Sequence, residues 1–339
     1  MKKSGKLIAL LLVVGLVAAM FAGCAAETET AAVQDEAAAS SAVKDPYTDE
    51  VKIAYIGALT STNGNQWGEA VKSELSVYDN ITVSVYDSNN DAETENELIA
   101  ELIVQNYDAL ILQAADSTAV SSSITRAEKT GMNVITMNID VDVPHSAHIT
   151  TPSYQIGVMT ANACAEAIGG KGQVAYIDVP TEYSATVLMG QAFKDTMEAN
   201  YPDIEVVAGQ PGDWTAETAN QIARDYLVQY PDLKAIYAGG DVAAVGVMQA
   251  VEAAGKTGQV DIWGCDGEAT CLDYISQGLI KGTLYSDYET AGVTAARLAL
   301  YLIGAGTNGA SYEKTPTIYV NGVIVTADNV DTIPMDKRW

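Results

Sequence analysis

Residues 51–57 read VKIAYIG, an apolar run with the length and composition of a buried β-strand. Trp67, Val71, Leu75 and Tyr78 follow at near-helical spacing, which predicts an amphipathic helix after this strand. The same order of strand and helix is repeated along the chain. The other predicted strands are residues 81–86, 108–113, 133–137, 147–150, 173–178, 204–208, 234–239, 260–264 and 282–285.

This alternation predicts an α/β fold of two doubly wound, parallel-sheet lobes with helices on both faces of each sheet. The chain of 339 residues is long enough for two domains of ordinary size. The strand pattern restarts near residue 173, so we expect each half of the chain to form one lobe. Residues 316–325 predict two paired strands around a hairpin turn at Asn321-Gly322.

The chain is strongly acidic, with a formal net charge of −26 at pH 7. A surface of this charge repels phosphate backbones, which argues against nucleic acid as a partner. It also disfavours an anionic ligand unless a local basic pocket compensates. High solubility is the simpler consequence of the same charge.

The amino-terminal region has the pattern of an export signal. Residues 1–23 combine a basic start with an apolar run over residues 7–21, as a signal peptide does. Residues 21–24 read FAGC and resemble a bacterial lipobox, which implies acylation of Cys24. A cleaved leader with a chance cysteine and an uncleaved signal anchor are the alternatives. Residues 24–50 are mostly small and acidic, and they predict a flexible acidic tether.

The remaining cysteines and the two histidines suggest neither a metal site nor catalysis. Cys164, Cys265 and Cys271 match no zinc spacing and are expected to be free, buried thiols, with a Cys265–Cys271 disulfide as the alternative. His145 and His148 are expected to have packing or surface roles. Because no nucleophile–base pair stands out, we expect no enzyme, no catalytic residue, no metal and no cofactor.

Ligands of open parallel sheets bind beyond the carboxyl ends of the strands. This rule selects the segments that follow the predicted strands, and two of the four tryptophans lie in them. The segments are residues 60–67, 113–116, 138–140, 178–183, 210–214, 240–241, 264–266 and 285–287.

Read in order, several of these segments resemble the ribose-binding-protein branch of the type I periplasmic binding proteins. The resemblance extends over about residues 51–330. It implies a two-lobed protein that closes on a small ligand by a hinge motion. The segments that carry it are IAYI at 53–56, NQW at 65–67, DSNND at 87–91, DALILQAAD at 108–116, VITMN at 134–138, QPGDW at 210–214 and GCDG at 264–267.

The resemblance also implies a three-strand hinge between the lobes. The crossovers are expected near residues 151–152, near residues 286–287 and between residues 304 and 314. The first lobe would then comprise residues 51–151 plus 287–305, and the second lobe residues 152–286 plus 306–330.

The resemblance places an aromatic ring on each face of a sugar, at Trp67 and Trp214. Asp266 corresponds to the carboxylate that accepts hydrogen bonds from ligand hydroxyls, which it does strongly when ionised. The alternatives are a core position for Trp67 and a plain Asp-Gly turn at Asp266. The full set of expected ligand residues is Asn65, Gln66, Trp67, Gln113, Asn138, Trp214, Asp241, Asp266 and Ser286.

Other positions depart from the family pattern or have a second interpretation. Asp241 begins a predicted helix and could serve only as its N-cap. Gly240 stands where the family often has a ligand-binding asparagine, and Ile139 and Val187 stand where it commonly has arginines. Because two multi-donor cations are absent, a deoxy sugar, a polyol or a nucleoside are alternatives to an ordinary sugar.

The sequence therefore predicts an extracytoplasmic binding lipoprotein that passes a small neutral polar ligand, with a sugar as the leading class, to an ABC permease. It would act as a monomer, anchored to the outer face of the cell membrane through Cys24 or free in the periplasm. The alternative is a ligand-sensing module for a chemoreceptor or a sensor kinase. A repressor would need a DNA-binding segment before residue 51, where the leader and the tether stand instead.

Overall fold

A computed structural model of the chain describes residues 43–178, 184–213, 215–335 and 338. The strands are β1 Val51–Gly57, β2 Ile81–Asp87, β3 Ala109–Leu112, β4 Asn133–Met137, β5 Ala147–Thr150, β6 Gly172–Asp178, β7 Ile204–Pro211, β8 Leu233–Ala238, β9 Asp261–Asp266, β10 Gly282–Tyr285, β11 Thr317–Tyr319 and β12 Val323–Thr326. The helices are α1 Thr62–Leu75, α2 Ala92–Val104, α3 Ser121–Lys129, α4 Ser153–Ala167, α5 Ser184–Asn200, α6 Ala216–Gln229, α7 Asp241–Ala253, α8 Ala269–Ser276 and α9 Tyr288–Ala305.

The strands form two six-stranded sheets, with the orders β11-β5-β4-β3-β1-β2 and β12-β10-β9-β8-β6-β7. Every pairing in the first sheet is parallel. In the second sheet only β12, at one edge, runs antiparallel to its neighbour. The prediction of two doubly wound α/β lobes is confirmed.

Strand β1 shows how one apolar run fills two cores. Ile53 and Tyr55 belong to the core on the side of α1 and α9, whereas Ala54 and Ile56 belong to the core on the side of α2 and α3. All four side chains are fully buried. Because successive side chains of a strand point to opposite faces, a strand covered on both faces must be apolar throughout. This requirement explains the VKIAYIG run.

The last two strands do not form the predicted hairpin. Strand β11 pairs in parallel with β5 of the first sheet, while β12 pairs in antiparallel fashion with β10 of the second sheet. The Asn321-Gly322 segment therefore lies in a crossover between lobes rather than in a hairpin turn. This position corrects the third crossover, which was expected between residues 304 and 314.

Residues 306–319 belong to the first lobe, although the sequence placed residues 306–330 in the second. The backbone N–H of Gly309 donates a 2.7 Å hydrogen bond to Oε2 of Glu128, and the Asn308 amide donates to the Glu128 carbonyl at 2.7 Å. Thr315 hydrogen-bonds His145 through its hydroxyl at 3.2 Å. The chain thus stays on the first lobe from the end of α9 to β11 and joins the second sheet at β12.

The carboxyl ends of the two sheets meet at the hinge. Residues 151–152 lead from the end of β5 to α4, and residues 286–287 lead from the end of β10 to α9. Residues 320–322 lead from the end of β11 to the start of β12, which lies beside the carboxyl end of β10. A connection of two or three residues spans only about 10 Å. The two edges that carry the predicted ligand residues are therefore adjacent.

The end of the predicted tether is fixed to the first lobe. Lys44 forms a 2.7 Å ion pair with Asp108, and the Asn80 amide donates to the backbone carbonyl of Asp49 at 2.7 Å. The rings of Tyr47 and Tyr78 lie 5.7 Å apart. These contacts correct the prediction that the tether is flexible as far as residue 50.

Residues 1–42, which include Cys24 and the predicted signal peptide, lie outside the described residues. Within the described part of the chain, none of the helices combines the length and the apolar character needed to cross a membrane. Cys164, Cys265 and Cys271 are free and buried, as the sequence predicts, so the alternative Cys265–Cys271 disulfide is not formed.

Candidate functional site

The predicted ligand residues that the structure describes lie at the adjacent carboxyl edges of the two sheets. The first lobe contributes Asn65, Gln66, Trp67, Gln113 and Asn138, and the second lobe and its crossover contribute Asp241, Asp266 and Ser286. Trp214 lies outside the described residues. The structure thus brings residues from at least six separate segments of the chain to one region.

Asp266 is the last residue of β9 and has an unusual backbone conformation, with φ of 116°. A positive φ of this size is costly for a residue with a side chain, and such strain is concentrated at functional sites. The Asp266 carbonyl accepts a 2.9 Å hydrogen bond from the Ser286 N–H, which joins the ends of β9 and β10. Its half-buried side chain is held at the exit of the strand, where a ligand can reach it.

The Asp266 carboxylate has little support from the surrounding protein. Among the described residues its one recorded hydrogen bond is from the Cys265 thiol, at 3.8 Å. Burial raises the pKa of Asp266 well above its usual range, and the negative charges of Asp241 and Glu268 raise it further. An acceptor that is neither saturated by protein donors nor fully exposed is suited to receive hydrogen bonds from a ligand.

Asp241, in contrast, is saturated. Its Oδ2 accepts the backbone N–H groups of Gly267 and Glu268, each at 2.7 Å, and its Oδ1 accepts the Thr283 hydroxyl at 2.7 Å. Burial raises the pKa of Asp241 to about 7 although these hydrogen bonds act in the opposite direction. The Asp241 carboxylate therefore holds the loop that follows Asp266 through these hydrogen bonds.

Neither sequence interpretation of Asp241 describes this arrangement. The N-cap of α7 is Gly240, without a side-chain cap bond, so Asp241 is not the cap. Direct ligand contact by Asp241 stays a prediction, and both of its carboxylate oxygens are already occupied by donors of the protein.

Gln113 supports the loop between β1 and α1. Its Oε1 accepts the Ala58 N–H at 3.1 Å, and its side chain is 8% exposed. Asp87 holds the same loop, since its Oδ1 accepts the Leu59 N–H at 3.0 Å. The Gln113 carbonyl oxygen is thus engaged by the protein, whereas its amide nitrogen has no recorded bond among the described residues and is available as a ligand donor.

Three other amides of the first lobe are unengaged. Asn65 and Gln66 lie in the first turn and a half of α1, the former exposed and the latter half-buried. Asn138 follows β4 with φ of 68° and is exposed. No hydrogen bond from these side chains to another described residue is recorded. Each can therefore both donate to and accept from a polar ligand.

Trp67 lies in the core of the first lobe. It is 5% exposed and packs in the same cluster as Val71 and Leu75. Its ring contacts that of Tyr288 edge-on, with centroids 5.4 Å apart. This environment fits the core alternative, which the helical spacing had already suggested, and its stacking on a ligand stays a prediction.

Tyr288 is a further candidate site residue, beyond those that the sequence indicated. It begins α9 directly after the second crossover, and it contacts Trp67 of the first lobe. Burial raises the pKa of Tyr288, and so do the charges of Asp266, Cys265 and Asp241, while a hydrogen bond with Ser286 lowers it. Tyr288 thus lies at the second crossover and packs on the core of the first lobe. In the sequence, the one indication of such a role is that Tyr288 directly follows residues 285–287, which were selected as a ligand-side segment.

The histidines form a buried cluster beside β4. Thr136 Oγ1 lies 2.8 Å from His145 Nε2 and 2.9 Å from His148 Nδ1. Burial lowers the pKa of both rings, which favours their neutral forms. Within the described residues no group of three or more histidine, cysteine or acidic side chains is arranged to hold a metal ion.

Two α/β lobes joined by three crossovers, with unengaged polar side chains at the joined edges, define a two-lobed protein that binds a small ligand. The chain belongs to the family described as "Periplasmic binding protein domain", whose model matches residues 53–307. This is a family of binding proteins rather than of enzymes.

Curated relatives support the same assignment. The xylitol-binding protein of Mycolicibacterium smegmatis is 28% identical over 254 residues, which cover 74% of this chain and 70% of that protein. The D-allose-binding periplasmic protein of Escherichia coli is 27% identical over 254 residues, which cover 70% of this chain and 79% of that protein.

Solved structures show the same fold. A periplasmic solute-binding protein of an ABC transporter from Actinobacillus succinogenes, with bound D-allose, is 26% identical with a TM-score of 0.69, covering 84% of this chain and 100% of the other. A solute-binding protein from Bacillus halodurans with bound myo-inositol is 21% identical, also with a TM-score of 0.69, covering 84% of this chain and 97% of the other. The second likeness shows the fold alone.

Proposed function

We propose that this protein captures a small polyhydroxylated ligand, a sugar or a polyol, between its two lobes and delivers it to an ABC transporter. The observation that carries the proposal is the unsaturated, half-buried Asp266 carboxylate at the hinge. It lies on the edge that adjoins the unengaged amides of Asn65, Gln66 and Asn138. Carboxylate and amide groups together can accept from and donate to the hydroxyls of such a ligand.

The relatives point to the same class of ligand. Their names refer to xylitol, D-allose, D-ribose and D-apiose, which are open-chain or cyclic polyhydroxylated molecules. Both lobes that enclose the ligand come from one chain, so a monomer suffices for binding. Trp67 and Trp214 remain candidates for stacking on the apolar face of the ligand, and Ser286 for a further hydrogen bond.

A ligand screen tests this proposal. We expect xylitol, D-allose, D-ribose, D-apiose or myo-inositol to raise the melting temperature of the purified protein and to change its tryptophan fluorescence. A carboxylic acid such as citrate serves as the control and should leave both signals unchanged, because the site is acidic. If all sugars, polyols and nucleosides leave both signals flat, the proposal is wrong.

We also propose that Cys24 is acylated and holds the protein on the outer face of the cell membrane. In a bacterial host, Cys24→Ser is expected to move the protein from the membrane fraction to the soluble or secreted fraction, because the attachment point of the lipid is lost. The matched control is Ala32→Ser, which changes the same segment and should stay with the membrane. Equal membrane retention of Cys24→Ser and the unaltered protein would reject the anchor.

A further inference from the structure

Where the structure describes them, the loops on the ligand side of both sheets contain no lysine or arginine. These loops connect the carboxyl ends of the strands to the following elements, and several contain aspartate or glutamate instead. They are residues 58–61, 88–91, 113–120, 138–146, 151–152, 212–213, 215, 239–240, 267–268, 286–287 and 320–322. The first four residues of each helix from α1 to α9 also contain neither cation.

The basic side chains lie elsewhere on the lobes. Lys52, Lys234 and Lys281 lie at or beside the amino ends of β1, β8 and β10, at the opposite edges of the sheets. Arg224 and Arg297 lie in the middle of α6 and α9. The separation matters because a cation at the far edge is more than a Debye length, about 8 Å, from the ligand side and is screened there by salt.

Three carboxyl groups are concentrated at the ends of β8 and β9 on the ligand side. Burial raises the pKa of Asp241, Asp266 and Glu268, and the charges of Asp241 and Glu268 add to the shift of Asp266. Asp241 is satisfied by donors of the protein, but those donors are neutral and leave its negative charge uncompensated. No basic side chain in the described ligand-side loops offsets this effect, so burial disfavours the ionised forms of these carboxyl groups in the ligand-free site.

A buried hydroxyl beside these carboxyl groups also lacks a partner. Tyr237 is fully buried, and no hydrogen-bond partner of its Oη is recorded among the described residues. Tyr237 is the second-to-last residue of β8, near the carboxyl end of that strand, and burial raises the pKa of its hydroxyl. The Tyr237 hydroxyl is thus a second polar group at this end of the second sheet that the protein leaves unsatisfied.

We propose that the ligand carries a positive charge, as an amino sugar or an amino polyol does. This inference rests on the proposed function and narrows its class of ligand. An ammonium group supplies three donors and a positive charge, which would stabilise the ionised carboxylates of Asp266 and Glu268. A neutral polyol supplies only donors. An anionic sugar would add a further negative charge to a site that has no basic side chain to receive it.

The test compares neutral and amino members of matched pairs by calorimetry on the purified protein at low salt. The pairs are D-glucose with D-glucosamine, xylitol with 1-amino-1-deoxyxylitol, and scyllo-inositol with amino-deoxy-scyllo-inositol, with N-acetyl-D-glucosamine as an uncharged control. We expect at least one amino compound to bind about tenfold or more tightly than its neutral partner, and the advantage to shrink in 0.5 M NaCl. The uncharged N-acetyl compound should lack it.

The outcomes separate this inference from the proposed function. If neutral compounds bind as tightly as their amino partners in every pair that binds, the inference is wrong and the proposed function stands. If no compound of either kind binds, the inference is wrong, and the wider screen of sugars, polyols and nucleosides decides the proposed function separately.

Two variants locate the charge recognition. Glu268→Gln removes one of the carboxyl groups that would pair with an ammonium. It is expected to reduce the affinity advantage of the amino compound over its neutral partner to about threefold or less. Glu252→Gln, an exposed change near the end of α7, should leave the advantage unaltered. An unchanged advantage in both Glu268→Gln and Asp266→Asn would show that these carboxyl groups do not recognise the charge, and it would overturn the inference.

Discussion

Replacing Asp266 with alanine is expected to weaken ligand binding by about tenfold or more, or at least about 1.4 kcal/mol. The carboxylate is half-buried, and among the described residues only the Cys265 thiol bonds to it. Its carboxyl oxygens are therefore largely free to accept hydrogen bonds from a ligand. Calorimetric titration of the best ligand of the screen measures the loss.

The control for this variant must separate binding from folding. Alanine meets the same steric conflict as aspartate at φ of 116°, so the change of backbone strain is small. We expect Asp266→Ala to keep the melting temperature of the ligand-free protein or to raise it, because a carboxyl group that few protein donors support is removed. Glu252→Ala serves as the exposed control. Unaltered affinity in a folded Asp266→Ala protein would remove Asp266 from the site.

The two lobes could be predicted from the sequence because each buried strand leaves a local pattern, a short apolar run. A central parallel strand is buried on both faces, so runs such as residues 51–57 and 108–113 must be apolar wherever they fold. The edge on which ligands bind follows from the same topology, which is why loops such as residues 138–140 and 264–266 could be selected in advance.

The hairpin prediction failed because a turn signal does not specify the partners of its strands. Asn321-Gly322 favours a tight reversal, but β11 and β12 find vacant edges on two different sheets, beside β5 and β10. Each strand gains a full ladder of backbone hydrogen bonds there. Long-range pairing of this kind leaves no trace in a window of ten residues.

The role of Asp241 could not be predicted from the sequence, because its hydrogen-bond partners lie far along the chain. Its position at the start of a helix, next to a ligand-side loop, was visible. The groups that occupy it come from Gly267, Glu268 and Thr283, which lie 26 to 42 residues further along the chain. Trp67 is a different case, because its burial in the structure fits the core alternative that its helical spacing supported, whereas the resemblance favoured a role in ligand stacking.

Glu128 offers the largest expected effect on stability. It is 1% exposed, and its Oε1 accepts the Val134 N–H at 3.0 Å together with the Ser146 N–H at 2.7 Å and the Ser146 hydroxyl at 2.8 Å. Its Oε2 accepts the Gly309 N–H at 2.7 Å. One carboxylate thus joins α3, β4, the residue before β5 and the segment after α9.

Glu128→Ala is therefore expected to lower the free energy of unfolding by about 3–5 kcal/mol, because buried donors lose their acceptor and a cavity is left. Glu128→Gln should cost less than alanine but still destabilise, since its amide nitrogen would face a backbone N–H. Urea denaturation measures both changes, and Glu97→Ala, an exposed change on α2, should stay within about 0.5 kcal/mol of the unaltered protein.

The same variant tests how the third crossover is held. Gly309 and Asn308 are fastened to Glu128, and the chain runs from there through β11 to residues 320–322. Hydrogen exchange at the Gly309 amide should accelerate in Glu128→Ala more than exchange in the second lobe, because the bond lost is in the first lobe. A loss of stability below about 1 kcal/mol, with unchanged exchange at Gly309, would show that backbone pairing of β11 with β5 suffices to hold this segment.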